Sequence, residues 1–106
     1  MLVRISLLSL CLLTAGTLSA RADEVTVLQE GKKFSEAEVT IKVGDKVTYL
    51  NKDPITHNVF SNTSGMSFDL KTQKPGESTS ITFDHAGEAE VQCAIHPQMK
   101  MKVKVE

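Results

Sequence analysis

Apolar and polar residues alternate along most of the chain. Val25 and Val27, then Val39, Ile41 and Val43, then Val47 and Tyr49, then Ile81 and Phe83 are each separated by polar neighbours. A period of two puts such residues on one face of a half-buried strand. The last segment alternates Met101, Val103 and Val105 with Lys100, Lys102 and Lys104. It predicts a closing strand with a lysine-studded outer face, and lysines in that position discourage edge-to-edge pairing. Gly44-Asp45 falls between two apolar runs and predicts a hairpin turn, while Lys74-Pro75-Gly76 and Ala86-Gly87 punctuate later ones. About six to eight short strands at this spacing predict an all-β fold, an antiparallel sandwich or barrel. Residues 61–77, rich in Ser, Asn, Gly, Lys and Pro around Met66 and Phe68, read as the longest irregular loop.

The N-terminal segment has a different character. Arg4 precedes an apolar run from Ile5 to Leu18, and Ala20-Arg21-Ala22 has the small-x-small form of a cleavage site. Residues 1–22 therefore read as a secretory signal peptide. The run is shorter than the roughly 20 apolar residues of a membrane span. The expected product is one domain, residues 23–106, exported to the periplasm, without a membrane span and monomeric. Both arginines and Cys11 fall in the signal, which leaves ten Lys against thirteen Asp plus Glu, a formal charge of −3. That balance excludes the electrostatic footprint of a nucleic-acid binder. It also leaves Cys93 as a lone thiol in an oxidising compartment, where small domains usually pair their cysteines. Metal ligation accounts for such a thiol, and a bound metal adds stability that a small core lacks.

The chemistry is concentrated in Cys93-Ala94-Ile95-His96-Pro97-Gln98-Met99, where a thiolate, an imidazole and a thioether recur at intervals of three. His57, after the strand-like run from Lys46 to Leu50 and the turn-prone Asn51-Lys52-Asp53-Pro54, supplies a second imidazole. Two histidines and a cysteine in a trigonal plane with a long axial methionine form the blue-copper arrangement. The candidate metal ligands are thus His57, Cys93, His96 and Met99, and the cofactor is one copper ion cycling between Cu(I) and Cu(II). A backbone N–H at Asn58 is expected to reach the Cys93 sulfur, and the Asn58 side chain to tie the two ligand-bearing loops together.

Cys-x-x-His-x-x-Met followed by Lys102-Val103-x-Val105 resembles the C-terminal ligand loop of the amicyanins. Phe34-Ser35, Val43-Gly44-Asp45-Lys46-Val47, Asn51 and His57-Asn58-Val59 are similar to the wider cupredoxins, the plastocyanin/azurin superfamily. The resemblance implies a Greek-key β-sandwich with copper at one end, electron transfer as the activity, and a donor dehydrogenase and an acceptor c-type cytochrome as redox partners. It also implies that Asn58 braces the cysteine-bearing loop. Ala89 and Val91 stand before the cysteine where the family usually has aromatic residues. Met101 lies at the longer, plastocyanin-like interval from His96 and is a rival axial ligand. Met99 is preferred because its spacing to Lys102-Val103 fits the family's strand register.

Other readings of the same residues weigh less. A copper-binding carrier or delivery protein without an electron-transfer role would use similar soft ligands, usually in a methionine-rich exposed site. A hydrolase with Cys93 as nucleophile lacks a clear group to orient its base, so the chain is read as no enzyme. A structural zinc site makes poor use of a thioether. His85, in Asp84-His85-Ala86-Gly87, reads as an exposed turn residue, and Met66 as a cap on the core. Lys100 and Lys102 read as a solvated face that could also orient an acidic partner.

Overall fold

The structure is a computed structural model that describes residues 23–106. The signal peptide assigned to residues 1–22 lies outside the described residues. Eight strands follow one another: β1 (Glu24–Gln29), β2 (Glu38–Ile41), β3 (Lys46–Asn51), β4 (His57–Ser61), β5 (Phe68–Gln73), β6 (Ser78–Thr82), β7 (Gly87–Cys93) and β8 (Lys100–Val105). They form two sheets, one of order β1-β3-β6 and one of order β2-β8-β7-β4-β5. The fold is an all-β sandwich, with connections that cross between the sheets, and no helix occurs among the described residues.

The period-two pattern explains the core. Val27, Val47 and Tyr49 from the first sheet and Ile41, Val59, Ala89, Val91, Met101, Val103 and Val105 from the second are buried, as is Phe83 just after β6. These are the inward positions of alternating strands, and their apolar area is the main force holding the sheets together. Phe34 stacks edge-on against Tyr49 with ring centroids 5.9 Å apart, and Phe68 does the same against Phe83. The small Ala89 and Val91 are fully buried in strand β7. Met66 is half-buried against the core, as read from the sequence, and His85 is an exposed bend residue.

Four expectations need correction. The pairing is mixed: β1 runs parallel to β3 and β2 parallel to β8, while the remaining pairs are antiparallel. Gly44-Asp45 is not a hairpin turn, because β2 and β3 belong to different sheets. Asp45 accepts the Lys42 N–H at 2.9 Å and its own N–H reaches Lys42 O at 3.0 Å, so the strand stops at Ile41 and Val43 is left 49 % exposed. Gly44, at φ 97°, takes a backbone conformation that a side chain would strain. The stretch 61–77 is not one loop, for it contains β5, whose half-buried Phe68 and Leu70 are too few to give a clear alternation. Finally, β8 is no edge strand, since it lies between β2 and β7.

Its lysines have a different role from edge protection. Lys104 faces Glu88 and Lys102 faces Glu90 on β7, while Glu38 on β2 faces Lys102 and forms a 3.7 Å ion pair with Lys104. Opposite charges across strands stabilise a sheet face by about 0.2–1 kcal/mol per pair. The outer face is consequently a ladder of balanced charge rather than a cationic patch.

Candidate metal centre

The ends of the strands bring the chemistry together. His57 opens β4, Cys93 closes β7, and the two strands pair antiparallel with Val59 opposite Cys93. That pairing places both residues at one end of the sandwich, although 36 positions separate them in sequence. The connection from β7 to β8 folds back tightly. The Met99 N–H donates to His96 O at 2.9 Å, and the Cys93 N–H to Met99 O at 3.2 Å. All four residues predicted from the sequence therefore lie at this end: His57, Cys93 and Met99 buried, His96 half-buried.

The three polar donors form a triangle. Cys93 Sγ is 3.6 Å from His57 Nδ1 and 3.8 Å from His96 Nδ1, with all three donor atoms within 4.8 Å of one another. The two imidazole rings meet edge-on with centroids 5.0 Å apart. Thiolate and imidazole bonds to a metal such as zinc are about 2.3 and 2.0 Å, and two such bonds spread by 120° put sulfur and nitrogen about 3.7 Å apart. The spacing fits a trigonal metal plane, and the soft thiolate with two imidazoles fits copper. Met99 is buried at 1 % exposure without belonging to the apolar core cluster. Met101, its rival, does belong to that cluster, and its thioether takes the Tyr49 hydroxyl at 3.7 Å.

The surroundings of the triangle are only partly as expected. The Asn58 N–H does point to Cys93 Sγ, at 3.4 Å. The Asn58 side chain, however, donates to Asp69 Oδ1 and Lys71 O, both at 3.0 Å, and so ties β4 to β5 instead of to the cysteine loop. The loop is tied to β4 through the Ala94 N–H to Asn58 O at 2.9 Å.

A carboxylate that the sequence reading passed over completes the site. His57 Nε2 lies 2.6 Å from Asp53 Oδ2, with both side chains buried. Asp53 also accepts the N–H of Gly31 at 2.6 Å and of Lys32 at 3.0 Å, from a turn in which both residues have positive φ, 68° and 60°. A lysine held there costs on the order of 1 kcal/mol, which these charge-assisted bonds offset. Burial works to raise the Asp53 carboxyl, but the hydrogen bonds from His57, Lys32 and Gly31 outweigh it and hold it below the ordinary carboxylate range. Beneath the site runs a buried amide network. Gln29 donates to Gln73 at 2.6 Å, Gln73 to Tyr49 O at 2.7 Å, and Asn51 to Ile55 O and Gln73 O.

A small β-sandwich that gathers one thiolate, two imidazoles and a buried thioether at one end belongs to the class of mononuclear metal-binding sandwiches. The sequence profile of copper binding proteins of the plastocyanin/azurin family matches residues 22–106, and the chain belongs to that family. Copper is accordingly its cofactor. The chain is 31 % identical to amicyanin from Paracoccus denitrificans over 95 % of its length and 94 % of the relative's. It is 32 % identical to the methylamine utilization protein MauL of Methylorubrum extorquens, over 88 % of this chain and 82 % of that protein. Among solved structures, a reduced amicyanin variant superimposes with a TM-score of 0.72 at 32 % identity, covering 85 % of this chain and 87 % of that one. Within this family the chain is similar to the amicyanins, as its ligand-loop spacing implied.

Proposed function

We propose that the chain is a periplasmic type 1 (blue) copper protein that carries single electrons between redox proteins, with His57, Cys93, His96 and Met99 as the copper ligands. The observation that carries this reading is the triangle of Cys93 Sγ with the two Nδ1 atoms, at 3.6 and 3.8 Å. Copper, when bound, supplies a one-electron couple. The protein supplies a braced frame: Cys93 and His57 sit on paired strands, and the backbone of the loop bearing His96 and Met99 is pinned to Cys93 by hydrogen bonds. A rigid donor set has little to rearrange when the charge changes.

Electrons need a way in. His96 is half-buried, and beside it Ile95 is 51 % exposed and Pro97 is exposed. This small apolar rim suits a brief encounter of the small-interface kind that redox partners use. By similarity to amicyanin and the MauL protein, the proposed donor is a dehydrogenase and the proposed acceptor a c-type cytochrome. The balanced charges on the outer face of β2, β8 and β7 leave recognition to this rim.

The test is the visible and electron paramagnetic resonance spectrum of the protein after addition of cupric ion. An intense thiolate-to-copper band that bleaches with ascorbate and disappears in Cys93→Ser is expected. A colourless protein that still binds copper would overturn the electron-carrier reading in favour of copper delivery.

A further inference from the structure

We infer that Asp53 is a positioning residue of the metal centre, whose fixed carboxylate sets the tautomer of His57 and favours the oxidised state of the copper. This rests on the copper reading above and extends it to a residue outside the ligand set. A neutral imidazole carries one N–H, and an ionised carboxylate can only accept. His57 Nε2 sits 2.6 Å from Asp53 Oδ2, so the proton is on Nε2. Nδ1 then keeps its lone pair, and Nδ1 is the atom facing Cys93 Sγ at 3.6 Å.

The carboxylate is gripped from two separate parts of the chain. The turn after β1 donates the Gly31 and Lys32 N–H groups, and the Asp53 N–H is anchored on Asn51 Oδ1 at 2.8 Å at the end of β3. Asn51 is itself locked by Ile55 O and Gln73 O. Asp53 is 6 % exposed and His57 not at all, so water does not compete for either group. A histidine ligand whose distal N–H is held by a carboxylate is oriented and made a stronger donor, and loss of such a partner typically weakens metal binding by about 10–100-fold. His96 has no such carboxylate among the described residues. The site therefore joins one clamped imidazole to one freer, half-buried imidazole.

A buried negative charge one ring away from the metal attracts the higher oxidation state more than the lower, and in a poorly screened interior that difference is not washed out. Removing the charge while keeping the shape should loosen the hold on cupric ion more than on cuprous ion.

The experiment uses the copper-loaded protein and reads three quantities: the thiolate band, the midpoint potential, and the nitrogen-resolved signals of the His57 ring in the cuprous form. In the unsubstituted protein the Nε2 proton is expected far downfield and slow to exchange. Asp53→Asn keeps an acceptor and loses the charge. It is expected to retain the band, to move the Nε2 proton upfield, and to raise the potential by at least a tenfold change in relative cupric over cuprous affinity, which is about 59 mV for one electron. A band at unchanged potential in Asp53→Asn overturns the inference and leaves the copper carrier standing. So does a rapidly exchanging Nε2 proton in the unsubstituted protein, a measurement that decides the matter even where the variant fails to fold. An unsubstituted protein with no thiolate band overturns both readings together.

Discussion

Two buried methionines stand two residues apart at the end of the ligand loop, and their neighbours separate their roles. Met101 packs with the core and receives the Tyr49 hydroxyl, while Met99 is equally buried outside that cluster. Burial pushes the Tyr49 hydroxyl above its ordinary value, so it stays a neutral donor to the thioether. Met101→Leu is a near volume-conserving change and is expected to cost less than about 1.5 kcal/mol, with the visible spectrum of the copper form intact. Met99→Leu is expected to alter that spectrum and the potential; absorption spectra of the two variants side by side check the assignment. The ligand loop was legible because Cys93, His96 and Met99 are neighbours in sequence and their spacing alone carries chemistry. His57 was legible through the polar residues around it. Asp53 was not, since an acid in an Asn-Lys-Asp-Pro stretch is an ordinary turn residue. What makes it special is a turn 21 and 22 positions upstream that closes over it.

At the scale of the strands, alternation identified most elements and misjudged their pairing. Val39, Ile41 and Val43 share a parity, yet only the first two lie in β2, because Asp45 captures the Lys42 N–H and turns the chain toward the other sheet. Asp45 also accepts the Asp23 N–H at 3.0 Å, which fixes the start of β1 beside β3. The N–H groups of Lys42 and Asp23 hold its carboxyl below the ordinary carboxylate range. A carboxyl lowered on folding adds stability above its unfolded value, near pH 3.9, and that contribution is lost as the pH falls through the lower folded value. Asp45→Asn is accordingly expected to melt at a lower temperature than the unsubstituted protein at pH 7, with the gap closing as the pH approaches 2. Thermal unfolding followed by circular dichroism across that range checks the sign. Parallel pairing could not be read from the sequence. The alternation of side chains is the same in parallel and antiparallel strands, and only the crossing of β2 to the second sheet decides it.

For the whole molecule, a domain of residues 23–106 buries only a modest core, and a metal that binds the folded state alone adds to its stability by mass action. Free copper at a hundredfold above Kd contributes about 2.7 kcal/mol. In a domain this small each kcal/mol shifts Tm by about 4–8 °C, so removing copper with a cuprous chelator is expected to lower Tm by roughly 10–20 °C, measured by calorimetry of loaded and stripped protein. The sandwich itself was legible in the sequence because strand period and turn residues agree over most of its length, β5 and the Gly44-Asp45 turn excepted. The position of the last strand was not, since lysines on an outer face look alike in an edge strand and in one whose neighbours answer them with glutamates. That position governs how the protein can be made. Strand β8 lies inside its sheet, between β2 and β7, so a chain shortened before residue 100 keeps two hydrogen-bonding strand edges with nothing between them. The larger sheet closes only when residues 100–105 take their place there.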